Sequence, residues 1–165
     1  MKTKGLVHIY SPLLRIAACI SSGILLICML GSCSSSALTG KKVMVPMRDN
    51  VRLSTLLLFP ESNQPSYPVV LIRTPYQKER LAPHYQFLVE NGYVVAIQDV
   101  RGRFGSRGVF EPFVKEGPDG YDAIEWIASQ PWCNGNIGMI GASYDGWAQY
   151  CAAVEKPPHL KTIIP

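Results

Sequence analysis

From residue 42 onward the chain alternates short apolar runs with stretches of helical periodicity, and the order of these runs sets the expected fold. Residues 42–47 and 51–59 are two β-rich runs around Asp49-Asn50, a dipeptide that tolerates the positive φ of a tight hairpin. In the second run Val51, Leu53, Thr55, Leu57 and Phe59 alternate as a strand with one buried face does. Residues 68–73 are continuously apolar up to Arg73, which predicts a strand covered on both faces. Pro83 suits the first turn of a helix and Gly92 its end, so a short helix is expected over residues 83–91. Residues 93–98 form another buried strand, and Gly102, Gly105 and Gly108 punctuate the loop that leaves it. A helix is expected from about Gly120 to Ser129, with Ile124, Ile127 and Ala128 at helical spacing and Pro131 beyond its end. The strand 136–140, the small-residue helix 146–154 and the strand 160–164 complete the pattern. Strands alternating with helices imply an α/β fold with a mainly parallel sheet, introduced by an antiparallel hairpin.

The front of the chain belongs to a different class. Lys2, Lys4 and Arg15 precede an uncharged run over residues 16–30, long enough for a signal-peptide core and short for a membrane span. Leu30-Gly31-Ser32-Cys33 then resembles the lipobox of bacterial lipoproteins, in which the cysteine is lipidated and becomes the first residue after cleavage. Ile16-Ala17-Ala18-Cys19 has the same form but follows Arg15 without a clean apolar core, so Cys33 is the expected lipidation site. Residues 1–32 are therefore read as a lipoprotein signal peptide, 33–41 as a small, polar tether, and 42–165 as the folded part. A plain signal peptide or an uncleaved anchor is the alternative, and each version exports the domain.

Removing the leader takes away three basic residues and no acid, so the formal charge drops from +4 to +1. A nucleic-acid or polybasic membrane role loses its support. Only Cys133 and Cys151 remain in the domain, too few for a disulfide framework or a zinc site. One bridge between them or two unpaired thiols are the choices, and an inward-packing helix around Cys151 favours the thiols.

The chemistry is concentrated at Gly141-Ala142-Ser143-Tyr144-Asp145-Gly146. Here a serine stands where a buried strand turns into a helix. Such a turn strains the backbone at the serine, requires small neighbours, and pushes the hydroxyl clear of the sheet while the first helical N–H groups point at whatever it attacks. The usual elbow carries its second glycine two residues after the serine; Asp145 holds that place and Gly146 follows. An ordinary serine in a strand-helix turn remains the bland alternative. The backbone N–H of Tyr144 would be one oxyanion donor. Tyr76, in the loop after an earlier strand, is either a second donor or an aromatic packed at the sheet edge. A base is harder to find: His84 reads as a surface residue, and His159 and the acids after Ser143 lie where they cannot fold back over the strand end. Asp99 and Arg101 read as a structural pair or as anchors of the loop backbone, and Glu116, Asp119 and Asp122 as carboxylates suited to a helix start. The glycine loop matches no phosphate-binding spacing.

Taken together, Arg73-Thr74-Pro75-Tyr76, Gln98-Asp99-Val100-Arg101-Gly102, Gly105-Ser106, Glu116-Gly117, Asp119-Gly120-Tyr121-Asp122, Glu125-Trp126-Ile127, Gln130-Pro131-Trp132 and the Ser143 segment resemble the X-Pro dipeptidyl-peptidase and cocaine-esterase (CocE/NonD) family of serine hydrolases. The resemblance runs from about Lys42 to Pro165 and includes the family's own serine motif, G-x-S-Y-x-G. It implies an α/β-hydrolase fold, here its N-terminal part, with Ser143 as nucleophile and with the N–H of Tyr144 and the hydroxyl of Tyr76 as oxyanion hole. It also implies an acid and a histidine beyond residue 165, a helical cap, and a C-terminal β-sandwich, so that residues 33–165 alone are expected to be inactive. No metal or organic cofactor is implied. The expected protein is an exported, membrane-anchored bacterial lipoprotein acting on small acyl esters, amides or peptides, with no nucleic-acid partner. A non-catalytic surface-binding lipoprotein that kept the hydrolase fold is the competing expectation.

Overall fold

The computed structural model describes residues 40–165. The leader, most of the tether and Cys33 lie outside the described residues.

Six strands form one sheet: β1 (Lys41–Pro46), β2 (Arg52–Leu58), β3 (Tyr67–Thr74), β4 (Val94–Asp99), β5 (Cys133–Ile140) and β6 (Leu160–Ile164), in the spatial order β1-β2-β4-β3-β5-β6. β1 and β2 are the antiparallel hairpin, with Asn50 at φ 65° in its turn, and β2 pairs antiparallel with β4. The pairs β3–β4, β3–β5 and β5–β6 are parallel. Neighbours of the sheet are α1 (Lys78–Leu81), a 3-10 turn over Ala82–Tyr85, α2 (Gln86–Glu90), α3 (Glu116–Ala128) and α4 (Tyr144–Val154).

Both faces of the sheet are covered, as a parallel core requires. Leu53, Leu57, Leu71, Ala96 and Met139 pack with Ile124 and Ile127 of α3 and Ala152 of α4, whereas Leu56, Leu58, Ile72 and Ile97 pack with Ala82 and Val89 on the other side. β4 is buried throughout, consistent with its continuous apolar run. β2 departs from the alternating expectation. Leu56 and Leu58 are buried too, because β2 lies inside the sheet, between β1 and β4, with the α1–α2 side over it.

Two helices also differ from the periodicity. The expected helix over residues 83–91 is a 3-10 turn beginning at Ala82 followed by α2, and α1 precedes them with no apolar periodicity. α3 starts a turn earlier than expected, at Glu116; Pro118 is tolerated in the first turn because its missing N–H would have had no partner there. Gly120 lets α3 approach α4 closely, since a Cβ at that position would lie 2.6 Å from Ala152 Cβ.

The connections locate the site. The chain leaves β3 through α1 and α2 on one face toward β4, and leaves β5 through α4 on the other face toward β6. The loops after the neighbouring strands β3 and β5 therefore diverge, and a crevice opens between their carboxyl ends, the usual ligand position in open α/β sheets. Tyr76 follows β3 and Ser143 follows β5.

Candidate active site

Ser143 caps α4 with φ 58° and ψ −123°, a combination that L-residues rarely adopt. Its side chain is exposed, while Gly141, Tyr144, Asp145 and Gly146 around it are buried. This is the strained strand-helix elbow expected from the hexapeptide. Trp147 N–H bonds the Ser143 carbonyl at 3.0 Å, so the helix hydrogen bonds begin at the serine itself. The Tyr144 N–H, in the first turn, has no carbonyl one turn back to bond and is free for an anion near the serine.

Gly141 shows why the elbow needs a glycine on the strand side. Its φ is +146°, and an added Cβ would fall 2.6 Å from the Cβ of Asp145. Gly141→Ala is accordingly expected to destabilise the fold by roughly 2–4 kcal/mol, from combined backbone strain and overlap. Denaturant unfolding checks this, and an unchanged midpoint would refute it.

Tyr76 is 50% exposed. Its N–H bonds Thr74 Oγ1 at 3.1 Å, and two residues later Lys78 bonds Asp99 through both its N–H (2.9 Å) and its Nζ (2.5 Å). The Tyr76 loop is thus pinned on both sides, with Tyr76 itself half exposed.

The profile of the X-Pro dipeptidyl-peptidase (S15) family matches residues 49–165. The chain belongs to that family. It is 45% identical over 129 residues to the cocaine esterase of Rhodococcus sp. (strain MB1 Bresler), covering 74% of this chain and 22% of that protein. A CocE/NonD family hydrolase from Staphylococcus aureus superposes with a TM-score of 0.66 at 34% identity, over 74% of this chain and 26% of its own. An α-amino acid ester hydrolase superposes with a TM-score of 0.71 at 32% identity, over 76% of this chain and 24% of its own. The chain therefore spans about a quarter or less of the length of these relatives. Its fold is the corresponding part of an α/β hydrolase.

Within this S15 chain, Tyr144 links the elbow to a buried ionic network. Its hydroxyl donates to Glu116 Oε1 at 2.9 Å and accepts from the Phe113 N–H at 3.1 Å, and its ring stacks on Phe113 at 4.7 Å. Burial, with the Glu116 carboxylate adding to it, pushes the phenol up to about 12, so it remains a donor at any working pH. Glu116 Oε2 lies 2.8 Å from Nη1 of Arg73, and the same nitrogen bonds the Glu116 carbonyl at 2.7 Å. Arg73 is fully buried; its Nε bonds Gln98 Oε1 at 2.9 Å, and Gln98 bonds Thr55 at 3.0 Å. Thr55 thus fills a polar slot in an otherwise apolar face.

The acids at the start of α3 all meet arginines: Glu116 takes Arg73, Asp119 takes Arg101 at 2.6 Å with Arg73 also 3.8 Å away, and Asp122 takes Arg48 at 2.8 Å. Arg101 also reaches Asp49, which holds that carboxyl below its ordinary range. The expected Asp99–Arg101 pairing is not what forms. Asp99 takes Lys78 and the Gly105 N–H, so its role as a loop anchor stands, with a different cation. A lysine on a short polar helix gives no signal of burial in the sequence, so the Lys78–Asp99 pair is visible only in the fold.

Neither domain histidine meets Ser143. His84 is exposed on the 3-10 turn. His159 Nδ1 contacts Glu125 Oε2 at 2.8 Å just before β6, at the amino end of the parallel strands, whereas Ser143 is at their carboxyl end. Cys133 and Cys151 are both free and half-buried, and burial raises both thiols.

Proposed function

We propose that the protein carrying this chain is a serine hydrolase that cleaves ester, amide or peptide bonds through an acyl-enzyme. Ser143 attacks the carbonyl, the Tyr144 N–H and the Tyr76 hydroxyl hold the oxyanion, and water then releases the acid. The base and its carboxylate come from outside the described residues. The observation that carries this reading is the backbone of Ser143, held at φ 58° and ψ −123° at the start of α4 with its hydroxyl exposed. Strain of this kind persists only where the surrounding structure imposes it, and here it stands at the carboxyl end of β5, beside the topological switch point between β3 and β5.

A fluorophosphonate should label the protein expressed from its complete coding sequence, and peptide mapping should place the adduct on Ser143. Absence of labelling would instead favour the non-catalytic binding lipoprotein. Paired assays with an aryl ester and an X-Pro anilide then separate esterase from dipeptidyl-peptidase, the two activities that relatives' names carry.

The same reading places the protein at a membrane through Cys33, supported by Leu30-Gly31-Ser32-Cys33 behind an uncharged run. A radiolabelled fatty acid is expected to be incorporated into the wild-type protein and not into Cys33→Ser, which should keep its leader. Incorporation by the variant, or none by wild type, would defeat the lipid-anchor assignment.

A further inference from the structure

Tyr144 is held at three points by groups that the proposed chemistry does not use. Its hydroxyl donates to Glu116 Oε1 at 2.9 Å and accepts the Phe113 N–H at 3.1 Å, and the Phe113 ring lies against its own at 4.7 Å. Two residues with positive φ meet there: Ser143, at 58°, precedes the tyrosine, and Phe113, at 69°, brings both its N–H and its ring to it. Such backbone strain outside glycine calls for a reason.

The far side of the anchor is buried charge. Glu116 is 3% exposed, and the Tyr144 hydroxyl is the one hydrogen-bond donor that its carboxylate meets among the described residues. Its Oε2 faces Arg73 Nη1 at 2.8 Å without a hydrogen bond, while that nitrogen donates to the Glu116 carbonyl at 2.7 Å. A hydrogen bond to a buried charge is stronger than one between neutral groups. The carboxylate therefore grips the phenol firmly.

What this grip fixes is a direction. The first N–H groups of a helix have no carbonyl one turn back, so helical hydrogen bonding does not aim them. At Tyr144 the peptide that joins it to Ser143 sets where the N–H points, and Ser143, at φ 58° and ψ −123°, would relax by turning that peptide. A side chain held at three points resists the turn. The Tyr144 N–H is one of the two donors of the proposed oxyanion hole, where small errors of aim lower the rate.

Resting on the serine-hydrolase reading, we propose that Glu116 and the Tyr144 hydroxyl are a positioning pair, which locks the first peptide of α4 so that the Tyr144 N–H points at the oxyanion. The pair acts through that peptide, without contact with the substrate. Arg73 holds Glu116 from behind, at its carbonyl and its carboxylate.

In the full-length protein, Tyr144→Phe keeps the ring and the backbone N–H, and is expected to lower kcat toward an activated ester roughly ten- to hundred-fold with KM nearly unchanged. Affinity for an arylboronic acid, which forms a tetrahedral anion on the serine, should fall by a similar factor, because only the charged adduct uses the hole. A merely structural role would not move these two together while sparing KM. Glu116→Gln should show the same pattern, since the amide turns its oxygen to the Arg73 cation and its NH2, which cannot accept, to the Tyr144 hydroxyl. Added to Tyr144→Phe, it should lower the denaturant midpoint further but kcat no further, because both substitutions break one contact. Wild-type kcat and boronate affinity in Tyr144→Phe, or additive kcat losses in the double variant, would overturn the proposal while leaving Ser143 as nucleophile. If neither buried variant folds, Phe113→Ala decides, because that side chain is 53% exposed. Its kcat and boronate affinity should drop several-fold together, and wild-type values for both would overturn the proposal. Wild-type protein that takes no fluorophosphonate defeats the underlying reading instead.

Discussion

Ser143→Ala, made in the full-length protein, is expected to lower turnover on the order of 10⁴- to 10⁶-fold while substrate binding changes little. The size follows from what alanine removes. Without the hydroxyl there is no acyl-enzyme, and the base that would have taken its proton has nothing to activate, so what remains is the crevice and its oxyanion donors acting on water. Tyr76→Phe should lie between this variant and wild type, at roughly 10²- to 10³-fold, because on the proposed reading it removes one of two oxyanion donors and leaves the backbone N–H of Tyr144. Since the Tyr76 phenol is half exposed and its loop is held by Thr74 and Asp99, this substitution should leave the fold intact. Initial rates with an activated ester measure both effects. A Ser143→Ala protein with wild-type turnover would end the acyl-enzyme reading, and a Tyr76→Phe protein with wild-type turnover would remove Tyr76 from the site.

Arg73→Met should produce the largest loss of stability, roughly 3–5 kcal/mol, measured as a shift of the denaturant midpoint at constant slope. Methionine fills much of the space of the aliphatic stem but cannot balance Glu116 and Asp119, which are 3% and 2% exposed. Those carboxylates would then be buried beside one another with only Arg101 nearby. The consequence reaches the site, because Glu116 is also the acceptor of the Tyr144 hydroxyl. Activity should therefore fall with stability even where the variant is still folded. A variant with the wild-type midpoint would show that the two acids are satisfied by Arg101 or by water, and that Arg73 is dispensable.

Much of this organisation can be read from residues in order. The apolar runs of β3, β4 and β5, the hairpin around Asn50, the small residues of α4 and the elbow at Ser143 are local patterns, in which period and turn chemistry act over a few residues. What escaped that reading depends on partners far away in sequence. α1 has no apolar periodicity, and its Lys78 is buried because Asp99, 21 residues later, receives it. Asp99 and Arg101 look like partners because only Val100 separates them, yet β4 ends at Asp99 and the chain turns at Arg101, so each finds its counter-charge elsewhere. The second buried face of β2 was present in Leu56 and Leu58, but the alternation of Val51, Leu53, Thr55 and Leu57 masked it until the strand order placed β2 inside the sheet.

By itself, then, the order of residues determined the α/β class, the position of a strained serine between strand and helix, and the small residues that this turn demands. These follow from backbone sterics and short-range periodicity. The tertiary structure alone decided which charges meet. It brought Glu116 beneath Tyr144 from 28 residues away, gave Arg73 and Lys78 their buried acids, and left Asp145 without a cation beside the candidate nucleophile. A charge is stabilised by whatever stands within a few ångströms of it, and in a folded sheet those neighbours come from other strands and helices.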